Sequence, residues 1–349
     1  MKKIPFPTNF AQIALVYLLL LLAACAGNKP YTIELMPSPD VYDDGAIDPF
    51  TDTGSVKVLP YNRILYATDR LPADESDKSL FYRNERGGVL RLGIARVKIA
   101  RANITWEEAR RISLAKNRSE KYPIRVSGID EFGVLDRSAT PQIAPDQLGA
   151  DPHAAARAFA DAINNKLENS KRKDIYVYTH GYKVIFENPV LVANELWHFL
   201  GYDGVFIAYA WPSTPSRWAY LRDIETAVGY ARNLRIFLEY LAEETGAERI
   251  HVLGYSAGTR LVARTLEQLA LMNHERKAEE IFSDLKIDQV ILVGSDILIT
   301  LAYGLSPTER GLVRGENSPI WAFPADYIER LRAAIIKANP DLKQALEEN

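Results

Sequence analysis

The chain has little cysteine, little histidine and no excess of basic residues. Its single cysteine, Cys25, excludes a disulfide within the chain. The fold must therefore hold by its core, for which 349 residues are ample. Lys and Arg number 42 against 45 Asp and Glu, for a net charge of −3. That balance excludes the basic stripe of a nucleic-acid binder. The densest basic cluster, Lys171-Arg172-Lys173, stands just before an apolar run and reads as a solvated turn. Long apolar runs are scarce as well. The one near the start, Ile13 to Ala24, is shorter than the ~20 residues needed to span a bilayer.

What is present at the start is a basic pair, Lys2 and Lys3, that apolar run, and Leu22-Ala23-Ala24-Cys25. Together these predict a secretion signal over residues 1–24. The small residues before Cys25 resemble a bacterial lipobox. That resemblance implies cleavage before Cys25, a diacylglycerol on its thiol and an acylated amine. Several acyl chains on one residue anchor stably where one does not. Ala26 in place of Asp resembles the outer-membrane sorting pattern of Gram-negative lipoproteins, so the expected location is the outer membrane, facing the periplasm. The alternative is an ordinary signal peptide with an incidental cysteine. Residues 25–55 carry Pro30, Pro37, Pro39 and Pro49 with no sustained apolar period, and are expected as a flexible tether.

Asn62–Arg70 and Val89–Ala100 read as strands separated by a charged, loop-like stretch over 71–87. Residues 101–150 give little signal beyond a short helix over Trp106–Leu114. Asp151–Asn169 has helical spacing. From there the pattern alternates. Strands are expected at Asp174–Thr179, Gly204–Ala210, Arg249–Leu253 and Gln289–Gly294, and helices at Pro189–Leu200, Leu221–Glu244 and Thr259–Met272. Continuous apolar strands alternating with amphipathic helices predict an α/β fold: a mostly parallel sheet with helices on both faces and antiparallel strands at its N-terminal side. Sites of such sheets lie at the carboxyl ends of the strands. The domain is expected over residues 56–300.

Gly254-Tyr255-Ser256-Ala257-Gly258 falls between one of those strands and its helix. A G-x-S-x-G stretch in that setting reads as a nucleophile elbow, with Ser256 the candidate nucleophile. The small neighbours allow a bend that leaves the hydroxyl bare. A tight structural turn is the plain alternative. Acyl transfer also needs donors for the developing oxyanion. The N–H of Ala257, just after the serine, is one candidate. The N–H of Tyr182, in the His180-Gly181-Tyr182 segment that follows strand 174–179, is the other. Gly181 lets the backbone approach a substrate, and His180 is expected to order the loop rather than to act as base.

Tyr178-Thr179-His180-Gly181-Tyr182, Phe186-Glu187, Trp211-Pro212-Ser213, Tyr220, Asp223 and the elbow, with Tyr66-Ala67-Thr68-Asp69-Arg70 and Leu92-Gly93 upstream, resemble a bacterial α/β-hydrolase family known as domain of unknown function 900. The resemblance covers about residues 60–300. It implies a hydrolase fold, esterase or lipase-like activity on a small acyl ester, and neither a metal nor an organic cofactor. By analogy with related enzymes, the strand-end Asp296 is the candidate acid that orients a histidine. Otherwise it caps the segment that follows.

A histidine base would normally follow the acid. The five histidines are His153, His180, His198, His251 and His274, so none does. Residues 301–349 predict a divergent helical tail, with helices over Asp326–Lys337 and Pro340–Glu348. Two expectations follow. One is a membrane-anchored serine hydrolase. The other is a non-catalytic, hydrolase-like binding or scaffold lipoprotein.

Overall fold

Strand alternation sets the architecture. In the strand Val205–Ala210, Val205, Ile207 and Tyr209 enter one core cluster and Phe206, Ala208 and Ala210 the other, so both of its faces are buried. The computed structural model describes residues 30–43, 45, 47–50, 63–74, 77, 80–101, 103–140, 148–216 and 220–294, with isolated positions between 306 and 337. Among these, the strands are β1 (Ile33–Glu34), β2 (Arg63–Pro72), β3 (Tyr82–Ile99), β4 (Pro123–Val134), β5 (Asp174–Thr179), β6 (Val205–Ala210), β7 (Arg249–Tyr255) and β8 (Ile287–Val293). They form one sheet in the order β1-β4-β3-β2-β6-β5-β7-β8. From β2 through β6, β5 and β7 to β8 the pairing is parallel, and from β2 through β3 and β4 to β1 it is antiparallel. This is the α/β class that the sequence pattern implies, a mostly parallel sheet with antiparallel strands on its N-terminal side, and it is consistent with the hydrolase-like fold that the resemblance implies.

Besides one helical turn at Asp40–Asp43, the helices are α1 (Trp106–Ser113), α2 (Ala154–Glu168), α3 (Glu187–Phe199), α4 (Tyr220–Gly229), α5 (Ala231–Glu244), α6 (Gly258–Met272) and α7 (Ala278–Leu285). α2, α5 and α6 cover one face through Phe159, Phe237 and Leu261. α1 and α3 cover the other through Ile112, Leu191 and Trp197. The register brings the strand ends together: Thr68 pairs with Ala210, Thr179 with Tyr209 and Gly254, and Tyr255 with Val293. The loops after β5, β6 and β7 therefore leave the sheet side by side.

The structure departs from the expected pattern in five places. The single helix over Leu221–Glu244 is two, broken at Tyr230, whose phenol donates to Gly87 O at 2.5 Å. The stretch 71–87 is not all loop: β3 starts at Tyr82, which is buried and hydrogen-bonded to the Tyr66 hydroxyl. β4 lies within residues 101–150, and α7 was not foreseen. Lastly, much of the supposed tether is packed. β1 pairs with β4, and Leu35 and Phe50 are buried. The Arg118 guanidinium donates to Leu35 O at 2.8 Å and Met36 O at 2.6 Å, and Glu195 accepts from Met36 N at 2.9 Å. Phe50 sits against Trp106, His198 and Tyr202. Too few apolar residues are involved to make a period, yet Leu35 and Phe50 are buried.

Residues 1–24 and Cys25, Asp296, and nearly all of 301–349 lie outside the described residues. No helix among the described residues is long and apolar enough to cross a membrane.

Candidate active site

The bend after β7 is held from three directions. Ser256 has φ +50, a left-handed conformation that an L side chain adopts only under constraint. Its N–H donates to Val293 O at 2.8 Å, which ties the bend to β8. Its carbonyl accepts from Thr259 N at 3.0 Å and from Thr259 Oγ1 at 2.6 Å. A methyl group at Gly258 would stand 2.5 Å from His180 O and 2.7 Å from Thr179 O, so only glycine lets α6 start this close to β5. Gly254 is similarly pressed, with Thr259 Cα 3.1 Å from where a Cβ would be. Ser256 is partly exposed, and no hydrogen bond joins its Oγ to a described residue. Ala257 caps α6, so its N–H has no acceptor within the helix.

The loop after β5 closes on this bend. A Cβ at Gly181 would lie 3.0 Å from Ser256 Cβ and 3.5 Å from its Oγ, which places the glycine backbone against the hydroxyl. His180 is buried and stacked on Trp211, with ring centroids 4.9 Å apart and planes 3° off parallel. Its Nδ1 lies 2.6 Å from Gly181 O and its Nε2 3.0 Å from Trp211 O, while Trp211 Nε1 donates to His180 O at 2.7 Å. Burial, and then the Arg70 guanidinium, push the His180 pKa down to about 3, against the pull of those carbonyls. Both ring nitrogens face backbone carbonyls of the surrounding loops, not the serine. Tyr182 is half-buried against the core. Lys183 follows with φ +68.

The other histidines are engaged elsewhere. His198 is buried, with Nε2 2.6 Å from Ser113 Oγ and Nδ1 2.9 Å from the Tyr202 hydroxyl. His251, near the start of β7, lies 3.5 Å from Asp174 and 3.6 Å from Asp288. His153 is exposed beside Asp136, and His274 is exposed and 2.9 Å from Leu271 O. Among the described residues no group of three or more His, Cys, Asp or Glu is arranged to hold a metal ion.

A polar layer behind the site was not anticipated. Asp69 is fully buried and accepts from the Tyr209 hydroxyl at 2.5 Å and from Asn233 Nδ2 at 2.7 Å. Burial pushes its pKa up to about 7, although both donors pull it down. Arg70 beside it is also fully buried. The sequence signal is a pair of charges, Asp69 and Arg70, closely following the apolar run Ile64-Leu65-Tyr66-Ala67.

A family model described as "Alpha/beta hydrolase of unknown function (DUF900)" matches residues 155–302. The match starts in α2 and contains the loop after β5 and the bend after β7. No curated protein and no solved structure matches the chain.

Proposed function

We propose that this domain is a serine hydrolase of the esterase or lipase type, with Ser256 as nucleophile toward a small acyl ester. The observation that carries this is the left-handed serine between a parallel strand and its helix, with Gly181 pressed against the hydroxyl. Attack of Ser256 Oγ on the ester carbonyl gives a tetrahedral oxyanion. Ala257 N–H, at the positive end of α6, and Tyr182 N–H are the donors assigned to it. Collapse expels the alkoxide, which takes up the proton given up by the serine hydroxyl and leaves as the alcohol; water then cleaves the acyl-serine to the free acid and restores the hydroxyl. His180 and Gly181 shape the loop that presents Tyr182. Asp296 remains the proposed acid. Incubation with a fluorophosphonate probe tests this: a covalent adduct on the Ser256 peptide, absent in Ser256→Ala, is the expected result.

One observation favours a different function, a hydrolase-like binding or scaffold module. The described histidines all have partners away from the Ser256 hydroxyl. A well-ordered protein that takes up no probe would decide for that module.

Anchoring through acylated Cys25 is proposed from the lipobox-like Leu22-Ala23-Ala24-Cys25. Radiolabelled palmitate should enter the protein and not its Cys25→Ala variant.

A further inference from the structure

We propose that Arg70, at the end of β2, is the positioning residue that holds the loop presenting the Tyr182 amide to the Ser256 hydroxyl. The proposal rests on the serine-hydrolase function above. Arg70 is 114 positions from the loop residue it binds. Its Nη2 donates to Val184 O at 2.9 Å and approaches Ser213 Oγ at 3.5 Å, and its Nη1 donates to Asn84 Oδ1 at 2.6 Å. Ser213, in the loop after β6, works on the same peptide groups. Its hydroxyl donates to Val184 O at 2.8 Å and accepts from Val184 N at 3.2 Å. Both backbone groups of Val184 are thus fixed, and its carbonyl accepts twice.

Two physical points make this more than packing. First, Lys183, between Tyr182 and Val184, has φ +68. A left-handed non-glycine residue persists only where its surroundings over-determine it. Clamping the next residue from β2 and from the loop after β6 is such a constraint, and it anchors the segment that follows Tyr182. Second, Arg70 is an expensive way to fill space. It is fully buried, and its Nε has no hydrogen-bond partner among the described residues. Its nearby charges are the buried carboxyl groups of Glu187 and Asp223. An apolar side chain of similar volume is often as stable or more stable in such a place. What the guanidinium supplies, and an apolar group does not, is the fork that spans Val184 O and Asn84 Oδ1.

Arg70→Lys keeps the charge beside Glu187 and Asp223 but loses the fork. Ser213→Ala, a gentler change, removes only the hydroxyl. The test measures two things on the folded protein well below each variant's melting temperature: hydrogen exchange of the 180–186 peptide, and the bond-forming rate of fluorophosphonate labelling, separated from probe binding. In Arg70→Lys we expect faster exchange confined to that peptide. Labelling should slow by roughly 10- to 100-fold, with binding unchanged, because a displacement of about 1 Å at a reacting centre has effects of that size. Ser213→Ala should show the same pattern, several-fold smaller. Unchanged exchange in both variants overturns the positioning role whether or not the wild type labels. Faster exchange with wild-type labelling overturns it as well. A wild type that takes up no probe overturns the hydrolase function itself.

Discussion

On one side of Ser256, the loop from His180 to Phe186 is pinned at both ends by buried side chains, with Lys183 exposed between them. His180, Phe186 and Trp211 are at most 1% exposed, and Arg70 from β2 and Ser213 from the loop after β6 fix Val184. On the other side stand Tyr255 and Val293, about half exposed at 50% and 51%. Yet the same bend belongs to both: Gly258 is pressed on His180 O, and Ser256 N–H is bonded to Val293 O. The contrast shows where the fold has placed its rigidity. The wall assigned to charge stabilisation is immobilised by buried polar groups. The neighbouring rim presents side chains that little else in the described structure constrains.

The largest test of that contrast is Trp211→Ala. It removes a fully buried ring and the stack beneath His180, and should cost about 3–5 kcal/mol of stability in chemical denaturation. A cost below 1 kcal/mol would mean that the buried wall is not rigid. Gly258→Ala comes next. Its new methyl group meets two backbone oxygens that cannot swing away, so a loss of about 1–3 kcal/mol is expected, with slower labelling of Ser256. Wild-type stability in this variant would show that α6 does not start where the contacts place it.

Asp69 gives a pH signature. Its folded pKa of about 7 lies above the ordinary 3.8, so the native state holds a proton that the unfolded chain has lost. The stability it contributes is full below about pH 4 and declines as pH rises through 7, by at most about 1.4 kcal/mol per pH unit. Asp69→Asn removes that slope, so its melting temperature relative to wild type should climb between pH 4 and 7. Parallel curves would contradict the buried, protonated carboxyl. The smallest effect is expected on the open rim. Tyr255→Ala should change stability by no more than about 0.5–1 kcal/mol, since half of the side chain is already in water. A loss near that of Trp211→Ala would erase the difference between the two walls.

How far sequence reaches follows the same division. The elbow was legible because its constraint is local: a strand, a serine, and small residues within two positions of it. The His180-Gly181 loop was legible because a strand end fixes where it must lie. The polar layer behind it was not, because the burial of Asp69 and Arg70 depends on Tyr209, Asn233, Val184 and Ser213, all more than a hundred positions away. β4 was hidden for a related reason. Its Asp130 and Glu131 look like loop residues, yet they form cross-strand ion pairs with Arg96 and Arg91 of β3. The packed segment over residues 30–50 escaped because isolated apolar residues such as Leu35 and Phe50 carry no periodicity.

The most direct measurement is the crystal structure of the fluorophosphonate-treated protein. The account predicts phosphorus bonded to Ser256 Oγ, with one phosphonyl oxygen about 2.7–3.1 Å from the backbone nitrogens of both Tyr182 and Ala257. An unmodified Ser256, or an adduct whose oxygens face away from those two amides, would contradict it.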